Sequence, residues 1–432
     1  MRQLLADKVS GSLVGLWLLI PEHLRLGTYD LLCGWSGHGP DEVEPRLAMQ
    51  MIHEAALCST NLREQRCLSQ KGFELANGLP FVASDTALHA LGEAHTMAEA
   101  QALQRAWGKL RRASGHFPGS LIVIDPHRLT SYSQRQMTRH KDKEASPARK
   151  VAQTFFCLDA QSAQPICLTT GSSSRTVAQV TPELLDLAGD ILSPQGPRPL
   201  VLADTEHWSA DLFKSIVTDS RFDLLVPMPH QPVYQRAFRA LASSAFTPRW
   251  VGYATAQRPF HFAGAPDVPL VQFIQRSGEA PGSYTFKGFL STRPRDELDL
   301  LSNAYPQRWH IEEFFHTSQD LGWKRAGTLN LHIRHAQMTF ALMAQGVLYQ
   351  LRRRLGPPWA TYEAWPFAQK ILRGLDGDVR VVRDTILVTY YNAPHAALWR
   401  AHFEHLPEQL AQEGISPHIP WLYGFKLDFR FK

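Results

Sequence analysis

Apolar residues recur at helical intervals in the first part of the chain, up to about residue 118. Spacings of three and four residues place these side chains on one face of a helix. The pattern predicts helices over Glu44–Leu57, Leu68–Asn77, Ser84 or Asp85 to Leu91, and Thr96–Arg112. Two of them flank a tight turn at Asn77-Gly78, which is the outline of a DNA-reading helix-turn-helix or of a plain helical hairpin.

Short continuous apolar runs replace the helical spacing from residue 120 onwards. Ser120–Ile124 and Pro199–Ala203 are two such runs, and an aspartate directly follows each of them, Asp125 and Asp204. Runs of this length are typical of strands that are buried on both faces. Pro126 is predicted to end the first strand.

Further strands and helices alternate between and after these two runs. The pattern predicts strands over Val151–Leu158, Pro165–Thr169 and Phe222–Pro227, and helices over Glu183–Leu192 and Trp208–Thr218. Between about 230 and 292 it predicts only strands, over Trp250–Ala256, Leu270–Gln275 and Ser283–Ser291, joined by Pro- and Gly-rich connections. The predicted fold class is α/β with a β-rich insertion.

The last hundred residues return to helical spacing. Predicted helices cover Leu331–Leu355, Ala364–Leu375 and Pro394–Leu406, a hairpin covers Val379–Asn392, and Trp421–Lys432 is extended.

One stretch combines apolar packing residues with three chemically distinct polar ones. Tyr305, Arg308 and Glu312 stand at positions i, i+3 and i+7, which share one face of a helix. Pro306 suits the first turn of that helix, and Gly322 is its predicted end. A solvated polar helix face has the same spacing, so spacing alone does not assign a function.

The run Tyr305-Pro-Gln-Arg308-Trp-His-Ile-Glu312-Glu-Phe-Phe resembles the Y-x2-R-x3-E-x6-K signature of bacterial insertion-sequence transposases of the DDE class. It departs from the signature at Gln319, where the family has lysine. The resemblance implies a ribonuclease-H-like catalytic core with an all-β insertion, flanked by helical N- and C-terminal parts. It also implies that Asp125, Asp204 and Glu312 are the catalytic residues and bind two Mg²⁺ ions, for which Mn²⁺ can substitute.

Each carboxylate has an alternative reading. An aspartate after a strand is usually a turn residue or a helix cap. Glu313 is the rival of Glu312, but it lies about 100° further round the helix, away from Tyr305 and Arg308. Both aspartates precede the signature in the expected order, which favours the assignment of Asp125, Asp204 and Glu312.

Cationic and polar residues near these carboxylates are candidates for contact with DNA phosphate. Arg308 suits bidentate contact, and Tyr305 can donate to the same phosphate. His316 is the preferred substitute for the charge that Gln319 lacks, with Lys324 and Arg325 as the alternative. The loop after Asp125 supplies further candidates, Arg135, Arg139 and Lys141.

Composition changes this picture only slightly. Lys and Arg number 45 against 40 Asp and Glu, giving a net charge of +5, which permits a nucleic-acid partner without requiring one. The five cysteines form no C-x2-C pair, which argues against a zinc finger and fits reduced thiols in the cytoplasm. The apolar run at 11–20 is too short to span a bilayer, so no membrane partner is expected.

The expected function is a DNA transposase of the bacterial cytoplasm, associated with the nucleoid when bound to DNA. Its partners would be double-stranded DNA, as element ends and target, and a second copy in a homodimer. The alternatives are a ribonuclease-H-like nuclease without strand transfer and a DNA-binding protein derived from a transposase. The predicted parts are a DNA-end-binding domain at 1–118, the core at 119–229, the insertion at 230–292, the signature helix at 293–325 and a mainly helical region at 326–432.

Overall fold

The computed structural model describes residue 3 and residues 8–11, 13–59, 68–132, 134, 136–137, 139–141, 147–171, 174–323, 328 and 330–432. These described residues form two compact units. We call residues 117–314 the sheet unit, and residues 1–116 together with 315–432 the helical unit. None of the described helices is both long and apolar enough to cross a membrane.

Strands and helices are numbered along the chain. The described strands are β1 Val9–Gly11, β2 Leu121–Thr130, β3 Arg139–His140, β4 Arg149–Asp159, β5 Gln164–Gly171, β6 Leu200–Leu202, β7 Asp223–Pro227, β8 Thr247–Trp250, β9 Tyr253–Phe262, β10 Ala265–Ser277, β11 Thr285–Ser291, β12 Gly377–Val382, β13 Thr385–Tyr390 and β14 Lys426–Phe431. The described α-helices are α1 Ile20–Arg25, α2 Thr28–Ser36, α3 Val43–Ala56, α4 Lys71–Ala76, α5 Asp85–Glu93, α6 Met97–Ala113, α7 Val177–Leu192, α8 Ala210–Asp219, α9 Pro232–Arg239, α10 Trp309–Thr317, α11 Leu331–Leu355, α12 Ala364–Phe367, α13 Ala396–Phe403 and α14 Leu406–Gln412.

A single large sheet organises the sheet unit. Its strand order is β3-β4-β2-β6-β7-β11-β10-β9-β8, and β5 pairs with β4. Strands β2, β6 and β7 are parallel to one another, whereas β4 runs antiparallel to β2 and β11 antiparallel to β7. Helix α7 packs on β4 and β5, and α8 packs on β7 and β10. The buried strand residues predicted from the apolar runs, such as Ile124 and Val201, lie in the core that these helices cover.

The predicted all-β insertion is wrong in one respect. Helix α9 (Pro232–Arg239) lies within the stretch 230–292, and Pro232 stands in its first turn. The strands of this stretch also pair with the core sheet, because β11 joins β7 through Phe289↔Pro227 and Ser291↔Leu225. Local periodicity predicts a strand but not its neighbour, so the sequence could not indicate that one sheet holds both parts.

Strand β2 continues through Pro126, contrary to the prediction that Pro126 ends it. Asp125 pairs with Phe156 and Pro126 with Phe155 on β4. Strand β6 accompanies β2 only as far as Val123, so beyond that residue β2 has β4 as its described neighbour. Proline is tolerated where one side of a strand has no ladder to complete.

Helix α11 (Leu331–Leu355) is the longest described helix of the helical unit and matches its predicted bounds. The side chain of Asn330 caps it by accepting from the backbone N–H of His332 at 3.0 Å. Helix α11 packs against α3, α5 and α6, which come from the N-terminal part of the chain. A small sheet in the order β1-β12-β13-β14 also joins the two ends of the chain within this unit.

Candidate functional site

Two neighbouring parallel strands bring Asp125 and Asp204 to one end of the sheet. The last pair between β2 and β6 is Val123↔Leu202, and each aspartate follows its strand's member of that pair by two residues. Asp204 also begins a short 3₁₀ turn at Thr205–His207, where its Oδ1 accepts from the backbone N–H of Glu206 at 3.0 Å. Asp204 therefore caps this turn, and its assignment as a catalytic residue stays a prediction.

Helix α10 lies on the face of the sheet that carries Asp125. Asp125 and Phe156 are directly paired, so their side chains share one face, opposite to the core that contains Ile124 and Cys157. The ring of Phe314 on α10 contacts that of Phe156, with centroids 5.7 Å apart. Glu312 stands two residues before Phe314 on this helix, and its charge acts on Asp125.

The carboxylates act on one another through their charges. Loss of water around Asp125 and the negative charge of Asp204 raise the pKa of Asp125 to about 8, and Glu206 and Glu312 add to the shift. Desolvation acts to raise the pKa of Asp204 as well, but a hydrogen bond from His207 and the Glu206 N–H hold it below its usual value. One carboxyl in the group is therefore protonated at neutral pH while its neighbour is ionised.

The signature residues form a connected chain. Arg308 donates from Nη2 to Oε1 of Glu312, and the Tyr305 phenol is hydrogen-bonded to Arg308. The Tyr305 ring packs edge-on against Phe289 of β11, with centroids 4.7 Å apart. This packing fixes the phenol next to the guanidinium.

The predicted single helix from Tyr305 to Gly322 is wrong. Tyr305–Arg308 is a 3₁₀ turn, α10 covers Trp309–Thr317, and Gln319–Leu321 forms a separate turn that ends at Gly322. Ser318, with φ −111° and ψ 2°, leaves the helical conformation and breaks the path. His316 is therefore on α10 but Gln319 is not, so the argument that they share a helix face fails. Both belong to the helical unit, and their role at the site stays a prediction.

Three residues near the carboxylates were missed by the sequence reasoning. Arg128 on β2 holds Glu206 through two hydrogen bonds, of 2.8 and 2.5 Å. Buried His207 lies with Nδ1 at 2.8 Å from Oδ1 of Asp204. The signal was present in the run Asp204-Thr-Glu-His, because side chains in a tight turn after a strand end must lie together.

The basic loop after β2 is only partly described. Arg139 on β3 is exposed and donates to the backbone oxygen of Ala148 at 3.4 Å, and Lys141 is exposed. Arg135 lies outside the described residues. The assignment of these three cations to DNA phosphate stays a prediction.

The donor set at the site fits a hard divalent cation. Asp125, Asp204 and Glu312 offer only oxygen atoms, and their mutual repulsion is the kind that a divalent ion relieves. Within the described residues, the His/Cys/Asp/Glu group whose ligand atoms all lie within 4.8 Å of one another is a different one, His38, Glu42 and Glu44 in the helical unit. The three site carboxylates are thus more widely spread than the ligands of a single compact site.

Comparison with known proteins gives one family match. Residues 116–345 match the family model described as the Transposase DDE domain. A search of curated proteins found no match. Among solved structures, the chain is similar to the piggyBac transposase in a cryo-EM synaptic complex with hairpin DNA, at 11% identity and a TM-score of 0.45, over 85% of this chain and 82% of that one. At this similarity the structural neighbour adds nothing to the family assignment, which comes from the family model.

Proposed function

Because the chain belongs to the Transposase DDE domain family, we propose that it is a DNA transposase that cleaves the ends of a mobile element and joins the freed 3′-OH to target DNA. The observation that carries the proposal is the cluster around Asp125, where burial first and then the charges of Asp204, Glu206 and Glu312 raise the pKa of Asp125 to about 8. Perturbed carboxyl groups of this kind are typical of functional sites.

We assign Asp125, Asp204 and Glu312 as the residues that would hold two Mg²⁺ ions, with Mn²⁺ as a substitute. The family generally uses divalent metal ions. Such ions supply charge relief at the leaving 3′ oxygen and a more acidic attacking water. His207 and the Glu206 N–H orient Asp204 by holding its Oδ1, and Arg128 donates to the Glu206 carboxylate.

We further propose that the sheet unit is a ribonuclease-H-like core. The strand order β5-β4-β2-β6-β7, with β4 antiparallel and β6 and β7 parallel to β2, supports this proposal. The position of Asp125 and Asp204 beyond the paired ends of neighbouring parallel strands supports it as well, since ligands of open α/β sheets bind at that edge.

The DNA contacts proposed at the site come from the signature residues. Arg308 presents a planar guanidinium suited to two oxygens of one phosphate, and Tyr305 positions it from the side. Arg139 and Lys141 would add backbone contacts. Joining two element ends requires two active sites, so we propose a homodimer in the active complex with double-stranded DNA.

The proposal is tested on the inverted repeats that should flank the coding region. A labelled duplex carrying one repeat is incubated with the protein and Mg²⁺, and cut and joined strands are resolved on a denaturing gel. We expect both products with Mg²⁺ or Mn²⁺, binding without cleavage in Ca²⁺, and no cleavage in excess EDTA. Full activity in EDTA would overturn the metal assignment.

Substitution of the carboxylates gives the residue-level test. Asp125→Asn, Asp204→Asn and Glu312→Gln should each lower cleavage by at least about 100-fold, since each removes charge stabilisation at the reacting phosphate. Binding of the same duplex should remain. Glu313→Gln is the matched control, because Glu313 is exposed on the same helix. Loss of cleavage in Glu313→Gln but not in Glu312→Gln would reverse the assignment.

Two other functions are distinguished by the same gel. Cut strands without joined strands would indicate a nuclease that lacks strand transfer. Binding with neither product would indicate a DNA-binding protein derived from a transposase.

A further inference from the structure

A cavity of about 520 Å³ lies beside Asp204 in the sheet unit. Part of its wall is anionic, through Asp204 and Glu206, and part is cationic, through Arg308 and Lys287. Tyr305, the first residue of the 3₁₀ turn Tyr305–Arg308, also lies in the wall. The cavity is thus an extension of the candidate site, with a lysine that the proposed function has not used.

Strand geometry directs Lys287 towards the signature residues. Lys287 and Phe289 are two residues apart on β11, so their side chains emerge on the same face of the sheet. Tyr305 packs on Phe289 from that face. The Nζ atom of Lys287 lies 5.1 Å from the centroid of the Phe289 ring and 5.3 Å from that of Tyr305. Two aromatic rings therefore hold the ammonium in place.

Lys287 forms no salt bridge with any carboxylate in the described part of the chain. Its charged neighbour is instead Arg308, and the pKa of Lys287 lies below its usual value because of desolvation and the repulsion of that guanidinium. Unlike Lys287, Arg308 has a carboxylate partner, because Glu312 accepts a hydrogen bond from it. Two cations held together in this way favour an anion that lies between them.

We propose that Lys287 is a phosphate-binding residue of the site, whose ammonium contacts the DNA phosphodiester at the cut position. This inference rests on the proposed function and names a residue for it. Lysine binds phosphate as a point charge, so it needs placement rather than a bidentate geometry. The two rings supply that placement, and the exposed side chain remains accessible to DNA. Lys287 then supplies a positive charge at the site that Gln319 cannot.

The test combines a protein change with a change in the phosphate. Equilibrium binding is measured in EDTA on two duplexes carrying the flanking repeat, one with the natural phosphate at the cut position and one with a neutral methylphosphonate. A charged hydrogen bond contributes about 1.5–3 kcal/mol, which corresponds to about 10- to 150-fold in affinity. We expect the neutral phosphate to weaken binding of the parent protein by about tenfold or more. In Lys287→Gln, binding of the natural duplex should fall similarly, and the methylphosphonate should weaken binding clearly less than it does in the parent, because only the Arg308 contact remains to be lost.

Three controls separate contact from packing. Lys287→Arg should keep the methylphosphonate effect, because it keeps the charge. Lys214→Gln should behave as the parent, since Lys214 is exposed on α8. A methylphosphonate placed about one helical turn from the cut should weaken parent and Lys287→Gln equally. A purely structural role of Lys287 would lower binding of both cut-site duplexes by the same factor.

The outcomes distinguish the two proposals. An undiminished methylphosphonate effect in Lys287→Gln, with the parent still cutting the natural duplex in Mg²⁺, overturns the role of Lys287 alone. A parent protein that neither binds nor cuts the duplex overturns the proposed function, and the inference about Lys287 with it.

Discussion

Arg308 donates a hydrogen bond from Nη2 to Oε1 of Glu312, four residues further along the chain. The guanidinium thus neutralises a carboxylate that we assign to metal binding. A divalent ion must compete with this contact, and Arg308 also repels the ion directly.

We predict that Arg308→Gln tightens Mn²⁺ binding to the DNA-free protein by about fivefold, corresponding to roughly 1 kcal/mol of removed repulsion and competition. Isothermal titration with Mn²⁺ measures the change. Arg221→Gln is the control. It breaks an exposed 2.8 Å ion pair with Asp190 in the same unit, which does not involve the three site carboxylates. Weaker Mn²⁺ binding in Arg308→Gln than in the parent would contradict the assignment of Glu312.

Because the pKa of Asp125 is raised, ionisation of this carboxyl should destabilise the folded protein when no metal is bound. The unfolded-state pKa of an aspartate is about 3.9, and the folded value is about 8, so the folded protein retains this proton to higher pH. Its contribution to stability is present below about pH 4 and is lost as pH rises to about 8. Asp125→Asn removes the charge, so in EDTA it should raise the melting temperature at pH 8 by a few degrees and have less effect at pH 5.

Thermal unfolding from pH 5 to 9 measures this difference. In the parent, added Mg²⁺ should raise the melting temperature at pH 8, because binding to the folded state alone stabilises it. Asp125→Asn should lose most of that rise. Asp219→Asn on the end of α8 serves as a control for removing an acidic charge elsewhere in the unit. A melting temperature of Asp125→Asn below that of the parent in EDTA at pH 8 would argue against the charge cluster.

The sequence predicted those features that depend on local pattern. The apolar runs before Asp125 and Asp204 became β2 and β6, and the long periodic segment became α11 with the bounds Leu331–Leu355. The sequence did not predict which strands lie side by side. The pairing of β11 with β7 and the position of Pro126 within β2 depend on which strand lies alongside, which periodicity does not encode.

The role of Lys287 at the site could not be predicted from the sequence for the same reason. In the sequence it is a single lysine in a strand, which is typical of a solvent-facing position. Its significance depends on the rings of Phe289 and Tyr305 and on the nearby Arg308, and these come together only in the folded sheet unit. Charge clusters built from distant segments are therefore the part of a site that sequence reasoning finds least easily.

The packing of α11 changes what a truncation should do. If residues 1–118 were only a DNA-end-binding domain, their removal would eliminate only specific DNA binding, but α3, α5 and α6 pack on α11 within the helical unit. Loss of those helices would expose buried residues of α11 such as Phe340, Leu342 and Met343. We predict that fragment 119–432 aggregates, because that apolar surface has no replacement cover.

Fragment 117–314 should behave differently, since it contains the whole core cluster of the sheet unit. We predict a monomeric fragment by size-exclusion chromatography, with cooperative unfolding by circular dichroism and retained Mn²⁺ binding. The two fragments form a matched pair, because both lack the N-terminal helices. A folded 119–432 fragment would show that α11 does not need its N-terminal partners.

The last prediction concerns two buried histidines in the helical unit. His53 Nδ1 lies 2.7 Å from Oδ1 of Asn77, whose Nδ2 donates to the Phe73 oxygen at 2.8 Å. The Asn77 side-chain oxygen therefore accepts the hydrogen bond from His53, so His53 carries its proton on Nδ1. His53 Nε2 then accepts from His23 Nε2, 3.1 Å away. Both rings are neutral in this arrangement, and a further proton on His53 would place two N–H groups face to face.

Burial lowers the pKa of His53 to about 4 and lowers that of His23 well below 6.5. The unfolded chain therefore takes up protons between about pH 6.5 and 4 that the folded unit excludes, and stability is lost as pH falls through this range. For one proton, the free energy of unfolding changes by about 1.4 kcal/mol per pH unit.

Urea unfolding of the full chain at pH 5.0, 6.0 and 7.0 should show a smaller slope of unfolding free energy against pH in His53→Gln than in the parent. The slope should not fall to zero in His53→Gln, since burial also lowers the pKa of His116 to about 3. Exposed His89→Gln should keep the parent's slope, and an equal slope in His53→Gln would show that the pair is not the source.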